Sequence, residues 1–194
     1  VANEVCEQFG LPESRVHPVH LGVDAAFRPL PLEVLQPVLD QHGLHADQYM
    51  LCMATLEPRK NLDRLISAFE GLPDALRARY PLTLAGAPGW RSHALHQRID
   101  RLATRGEVRY LGYVPDTHRP ALYAGARLFA YPALYEGFGL PPLEAMACGT
   151  PVLTSTRASM PEVAGDAAVT VDPGDVDGGT PARGRVAGDT VPRE

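Results

Sequence analysis

Apolar residues along the chain fall into short continuous runs separated by amphipathic stretches. The runs at residues 48–55 (QYMLCMAT), 81–86 (PLTLAG), 108–111 (VRYL), 127–131 (RLFAY), 152–155 and 168–171 (AVTV) each read as a buried strand. Between them the period changes. Leu62, Leu65, Ile66 and Phe69 stand at helical spacing, with Asn61 placed to cap the helix they define. Ser92 is placed to cap a second helix running to about Thr104, and residues 119–124 make a short third. Leu143 to Ala147 are good helix formers, with Gly149 as the stop. Strands and helices alternate at roughly 25-residue intervals, which predicts an α/β fold: a parallel sheet with helices on both faces. Near the N-terminus the pattern is weaker. Residues 1–10 have mixed helical character, residues 16–23 (VHPVHLGV) alternate like a strand interrupted by Pro18, and residues 24–31 form a proline-bearing connection. Beyond Asp172 the chain turns to Asp, Gly, Pro, Thr and Arg without helical periodicity, so residues 176–194 are expected to be an irregular, disordered tail.

Composition narrows the classes. A hydrophobic fraction of 45% in 194 residues supports a core, and one main domain is the default. A net charge of −5 argues against a nucleic-acid partner. No apolar run reaches the ~18 residues of a membrane-spanning helix. No charged start is followed by an apolar core, so no signal peptide is read, and a first residue other than Met reads as a fragment or processed piece. Cys6, Cys52 and Cys148, odd in number and widely spaced, read as reduced, buried thiols of a cytoplasmic protein.

The candidate chemistry centres on residues 131–151, YPALYEGFGLPPLEAMACGTP. A strand is followed by Glu136-Gly137-Phe138-Gly139, whose glycines open backbone angles closed to other residues. Pro141 and Pro142 suit a first helical turn, where a missing N–H costs nothing. Strand, glycine loop and helix N-terminus together present free N–H groups and the positive end of a helix dipole, an arrangement that binds phosphate. A second basic turn, Glu57-Pro58-Arg59-Lys60-Asn61, places two cations at another helix start. That costs on the order of 0.3–1 kcal/mol per charge unless an anion arrives. On pattern alone it reads first as a solvated basic turn.

With these residues in view, the stretch resembles the signature of retaining, nucleotide-sugar-dependent glycosyltransferases of the GT-B fold, family 4. Their pattern is Glu, seven residues, Glu, with Gly-Phe-Gly after the first and Glu-Ala-Met-Ala around the second. Glu136 and Glu144 fit that spacing, and GFGLPPLEAMACGTPV matches nearly throughout. The resemblance runs from about Val16 to Asp175. It implies a Rossmann-like sheet, the C-terminal half of a GT-B fold, over residues 31–175 as a nucleotide-sugar-binding domain. Residues 1–30, with HLGVDAAFRP, are then the crossover from an absent N-terminal acceptor domain. The family's further helices would replace the tail, which is expected to be truncated or out of frame.

The same resemblance implies roles. Lys60, within EPRKN, would contact the donor diphosphate. Many members carry an additional Arg just after the preceding strand, whereas this chain has Ala54-Thr55-Leu56. Arg59 compensates, or fewer charges hold the phosphates. Glu136 would bind hydroxyls of the donor sugar near its anomeric carbon, and Glu144 the ribose hydroxyls. The amides of Gly137, Phe138, Gly139 and Leu140 would hold sugar or diphosphate, with the Phe138 ring a core anchor. The loop at Val114 would meet the base through backbone. Because Lys60, Gly86, Val114 and Glu136 all follow strands, they are expected to face one cleft. The implied enzyme transfers a hexose, mannose as first guess, from GDP-mannose or another nucleotide sugar, without a metal. Its acceptor would be a glycan or lipid-linked, and the full enzyme cytoplasmic, at most peripherally bound to the membrane. The alternatives are an isolated nucleotide-sugar-binding module or a truncated, inactive fragment.

Other signals are weak. His17/His20, His42/His45 and His93/His96 are spaced as metal ligands on a helix are, but each lacks an adjacent third ligand. Asp175-Val176-Asp177 looks like a DxD metal motif, away from any strand–helix turn. No G-x-G-x-x-G, Walker loop or G-x-S-x-G is present.

Overall fold

A computed structural model describes residues 2–90 and 92–174. In order, the regular elements are α1 (Ala2–Phe9), α2 (Leu32–Gln41), β1 (Met50–Met53), α3 (Leu62–Glu70), α4 (Asp74–Arg79), β2 (Leu82–Ala85) and α5 (His93–Ala103). Then follow β3 (Val108–Gly112), α6 (Arg119–Gly125), β4 (Leu128–Tyr131), α7 (Leu140–Ala147), β5 (Val152–Ser155), α8 (Met160–Ala164) and β6 (Val169–Val171). Short 3-10 turns occupy Glu13–Arg15, Pro58–Lys60 and Asp116–His118.

The strands form one six-stranded sheet in the order β3-β2-β1-β4-β5-β6. Every pairing is parallel, with Met50 opposite Leu82 on one side of β1 and opposite Leu128 on the other. All residues of β1 and β2 are buried, as continuous apolar runs in a sheet covered on both faces should be. From β1 the chain steps outward to β3, then returns to β4 and steps the other way. Right-handed crossovers therefore put α3 to α5 on one face and α7 and α8 on the other. Arg98 of α5 ties the first group together through Asp63, Ser67 and Glu70 of α3. On the second face α6 packs on α2 and α7. Leu51, Leu82, Leu84, Phe129 and Tyr131 are essentially inaccessible at the sheet's centre. Hydroxyls of β5 stitch the exit of β4: Thr154 Oγ1 donates to Tyr131 O at 2.9 Å and Ser155 Oγ to Ala133 O at 2.6 Å.

The α/β architecture read from the sequence is the one found. Several local readings are corrected. Residues 16–23 are not a strand; they run irregularly with Val19 82% and Leu21 52% exposed, and Pro18 cannot donate to a ladder. Helices α2 and α4 had no sequence counterpart, because Pro37 interrupts the first and the second is only 6 residues long. Neither Asn61 nor Ser92 caps with its side chain; Asn61 takes a left-handed backbone (φ 61°) and Ser92 Oγ donates to Gly89 O. Cys52 and Cys148 are buried free thiols, but Cys6 is only half-buried. The tail at 176–194 and the Asp175-Val176-Asp177 motif lie outside the described residues.

Candidate functional site

Strand order reverses between β1 and β4, and the loops leaving the carboxyl ends of neighbouring strands diverge there to leave a crevice. The crevice is a cleft of about 360 Å³. Thr55 and Lys60 reach it from the loop after β1, Gly86 from β2, Val114 from β3, Tyr131 from β4 and Arg119 from α6. Its floor is held by close backbone packing. Gly86 adopts φ +146°, and a Cβ there would run into the Ala54 carbonyl oxygen. Leu56 and Pro88 bridge the same two loops.

Lys60 ends the 3-10 turn and is only 9% exposed despite its charge. Its ammonium donates to Tyr131 Oη at 2.6 Å and to Glu136 Oε1, and Tyr131 Oη donates to the same carboxylate oxygen at 2.7 Å. Arg59 Nη1 reaches that oxygen from outside at 3.2 Å, while its Nε holds Glu57 at 2.9 Å. The anion that two cations at the head of α3 require is thus supplied by Glu136. Burial pushes the Glu136 carboxyl up, but the bonds from Lys60 and Tyr131 and the nearby Arg59 charge outweigh it, so its pKa lies below the usual value. The two loops are locked together by Leu134 N–H donating to Arg59 O at 2.8 Å and Asn61 Nδ2 donating to Pro132 O at 3.1 Å.

The loop 136–139 reaches α7 through Gly139 at φ +112°, beneath which lies the Met160 methyl. The hydroxyl of Ser159 lies 3.0 Å from Glu136 O and 2.5 Å from Phe138 O and straps the loop to the head of α8. Among the described residues, the N–H groups of Gly137, Phe138, Gly139 and Leu140 have no protein acceptor. They lie at the N-terminus of α7, the positive end of its helix dipole. Phe138 is not a core anchor: it is half-buried, with its ring 6.4 Å from that of His20.

Glu144, on the second turn of α7, is 6% exposed. Its Oε2 accepts from Arg119 Nη2 at 2.5 Å and Tyr123 Oη at 2.8 Å, and among the described residues Oε1 takes no protein donor. Arg119 also lies 5.4 Å over the Phe27 ring, and Phe27 packs edge-on against Tyr123. Lys60, Gly86 and Val114 therefore line one cleft. Glu136 and Glu144 stand just behind its lining, bonded to Lys60, Tyr131, Arg119 and Tyr123. Arg59 lies on the outer side of Glu136. Arg119, Tyr123 and Tyr131 were not singled out from the sequence, where they read as helix and strand filler.

The histidine pairs divide. His20 bonds Glu162 at 2.7 Å, His42 meets His118 at 3.1 Å, and His93 and His96 lie on α5. Among the described residues no three His, Cys, Asp or Glu side chains gather as a metal site would need. No described helix is long and apolar enough to cross a membrane.

A parallel sheet with a cleft at its strand-order reversal defines the class of doubly wound α/β domains that bind ligands at that point. The family model described as glycosyl transferases group 1 matches residues 39–178. The chain belongs to that family, as a domain of the GT-B type. It is 47% identical over 176 residues to O-antigen chain mannosyltransferase B of Escherichia coli, covering 90% of this chain and 46% of that protein. A serotype-specific mannosyltransferase, WbdA of Escherichia coli, is 39% identical, with 90% of this chain and 22% of the relative covered. The chain thus spans about half, or less, of the curated relatives it matches. Among solved structures, HepE of Anabaena in complex with UDP and glucose superposes with a TM-score of 0.80 at 23% identity, over 94% of this chain and 50% of that one. The C-terminal domain of a glycosyl transferase group 1 protein, LpcC of Francisella tularensis, gives 0.70 at 20% identity, over 87% and 89%. At these identities both likenesses speak to the fold.

Proposed function

We propose that this chain is the donor-binding domain of a retaining glycosyltransferase that moves a hexose from a nucleoside diphosphate sugar to a glycan or lipid-linked acceptor. One observation carries the reading: Lys60, which lines the switch-point cleft, is paired with Glu136, the residue that opens a loop whose next four amides have no protein acceptor among the described residues. In this reading Lys60, the amides of residues 137–140 and the α7 dipole neutralise the charge that grows on the departing diphosphate. Glu136 accepts the sugar hydroxyls. Glu144 offers Oε1 to the ribose while Arg119 and Tyr123 fix Oε2. Mannose carried on GDP is the donor we favour, because the relatives are named mannosyltransferases. The acceptor side falls to parts of the enzyme outside this chain, and the free thiols fit a reducing compartment, the cytoplasm.

The cleft with its lysine is built within this one domain, which leaves a second reading, a module that holds nucleotide sugar without turning it over. Calorimetric titration with GDP, UDP, GDP-mannose and UDP-glucose, followed by assays for transfer and hydrolysis, separates the two. Lys60→Ala should weaken the diphosphates about a hundredfold and leave guanosine and uridine unchanged. Equal weakening of diphosphate and nucleoside would remove Lys60 from its role.

A further inference from the structure

Tyr131 closes β4 inside the core, yet its hydroxyl is the junction of the polar cluster. The residue is 1% exposed. Its ring stacks on Phe129 with centroids 5.8 Å apart, and the Lys60 ammonium lies 5.2 Å from the ring centroid. The hydroxyl accepts from Lys60 Nζ at 2.6 Å and donates to Glu136 Oε1 at 2.7 Å. Burial first, and then the Glu136 charge, push the phenol far above its ordinary pKa, so it stays a neutral O–H that can do both at once. Lysine is a point charge on a four-carbon stem, and ordering such a chain has an entropic cost that a ligand would otherwise meet. The stem here is clamped before any ligand arrives.

We infer that Tyr131 is a positioning residue for the proposed donor site: its hydroxyl stays on Lys60 while the ammonium exchanges Glu136 for the diphosphate. The inference rests on the donor-site reading given above. Three properties of the geometry carry it. Lys60 has three N–H donors, and the tyrosine uses one, leaving two for phosphate oxygens. Glu136, when Lys60 withdraws, keeps the Tyr131 donor and Arg59 and so is not stranded as a buried, unpaired charge. The rigid strand end, pinned by Thr154 on the Tyr131 carbonyl, fixes where the ammonium can sit.

The test is a double-mutant cycle on the 194-residue chain, with Tyr131→Phe, Lys60→Ala and the double variant, each titrated with GDP, UDP and the matching nucleosides. Tyr131→Phe keeps the ring packing and should lose about tenfold in diphosphate affinity, the loss of one hydrogen bond to a charged group, with nucleoside affinity unchanged. In the Lys60→Ala background it should have no further effect, since it acts through the lysine. Additive losses, or a loss shared by the nucleosides, would show a merely structural tyrosine and overturn the inference. No loss from Tyr131→Phe alongside a clear loss from Lys60→Ala would overturn it and leave the donor-site reading standing. No loss from either would remove both. If Phe at 131 lowers the melting temperature markedly, 3-fluorotyrosine at 131 keeps the shape with a poorer acceptor. Diphosphate affinity should then fall while nucleoside affinity holds, and an unchanged diphosphate affinity would again overturn the inference.

Discussion

Glu136 carries its charge because three donors surround it, and this dictates how the fold responds to acid. Its pKa is depressed in the folded chain, so its ionised form contributes stability above the unfolded value near 4.5, and that contribution disappears as pH falls through the lower folded value. Urea unfolding of the wild type and Glu136→Gln should therefore differ at pH 7 and converge towards pH 3; a constant gap would show the carboxylate charge to be irrelevant. Two glycines make a second contrast. Gly86→Ala forces a methyl into the Ala54 carbonyl at φ +146° and should cost about 3 kcal/mol or more. Gly137→Ala meets nothing within 4 Å and should stay within about 0.5 kcal/mol of wild type in the same thermal melts. Lys60, Glu136 and Glu144 were singled out by the resemblance to the glycosyltransferase signature around a glycine loop, and the fold brings Lys60 and Glu136 together. Tyr131, Tyr123 and Arg119 were not. Each sits in an apolar run or short helix whose period explains it fully, and only the fold reveals that Tyr131 faces Lys60, 71 positions away, and that Tyr123 and Arg119 face Glu144.

Helix α3 illustrates where pattern suffices: Leu62, Ile66 and Phe69 are the residues it buries. Helix α2 illustrates where it fails. Pro37 sits in its interior, removes a helical N–H and hides a helix that exists because Leu35 and Leu39 are buried in the core. Packing has overridden propensity at an exposed position. Pro37→Ala should restore the missing bond and stabilise the chain by about 1–2 kcal/mol, read as a raised urea midpoint with an unchanged slope. A lowered midpoint would mean that the Pro37 ring is needed to seat α2 on α6. The misread stretch at residues 16–23 is the converse case. Alternation alone made it strand-like, but both edges of the sheet are formed by other strands, β3 and β6, and the segment is left outside.

The molecule as a whole is a sheet whose order reverses once, and that single reversal creates the cleft and brings in its loops. Alternating strands and helices sufficed to predict the layers, because a parallel sheet needs helical crossovers. They did not predict the strand order, which depends on which runs pair over long sequence separations. The central strand next to that reversal is β1, and within it lies the Cys52 thiol. Burial pushes this thiol up to about 12, and Lys60 nearby pulls it only slightly back; burial likewise takes Cys148 to about 12. Neither reacts as a thiolate at neutral pH while the chain is closed. Half-buried Cys6 should therefore take up a disulfide reagent at once, and the other two only during openings of the sheet. The slow phase of such labelling is a clock for those openings, and a nucleoside diphosphate that binds only the closed form should lengthen it in proportion to its occupancy.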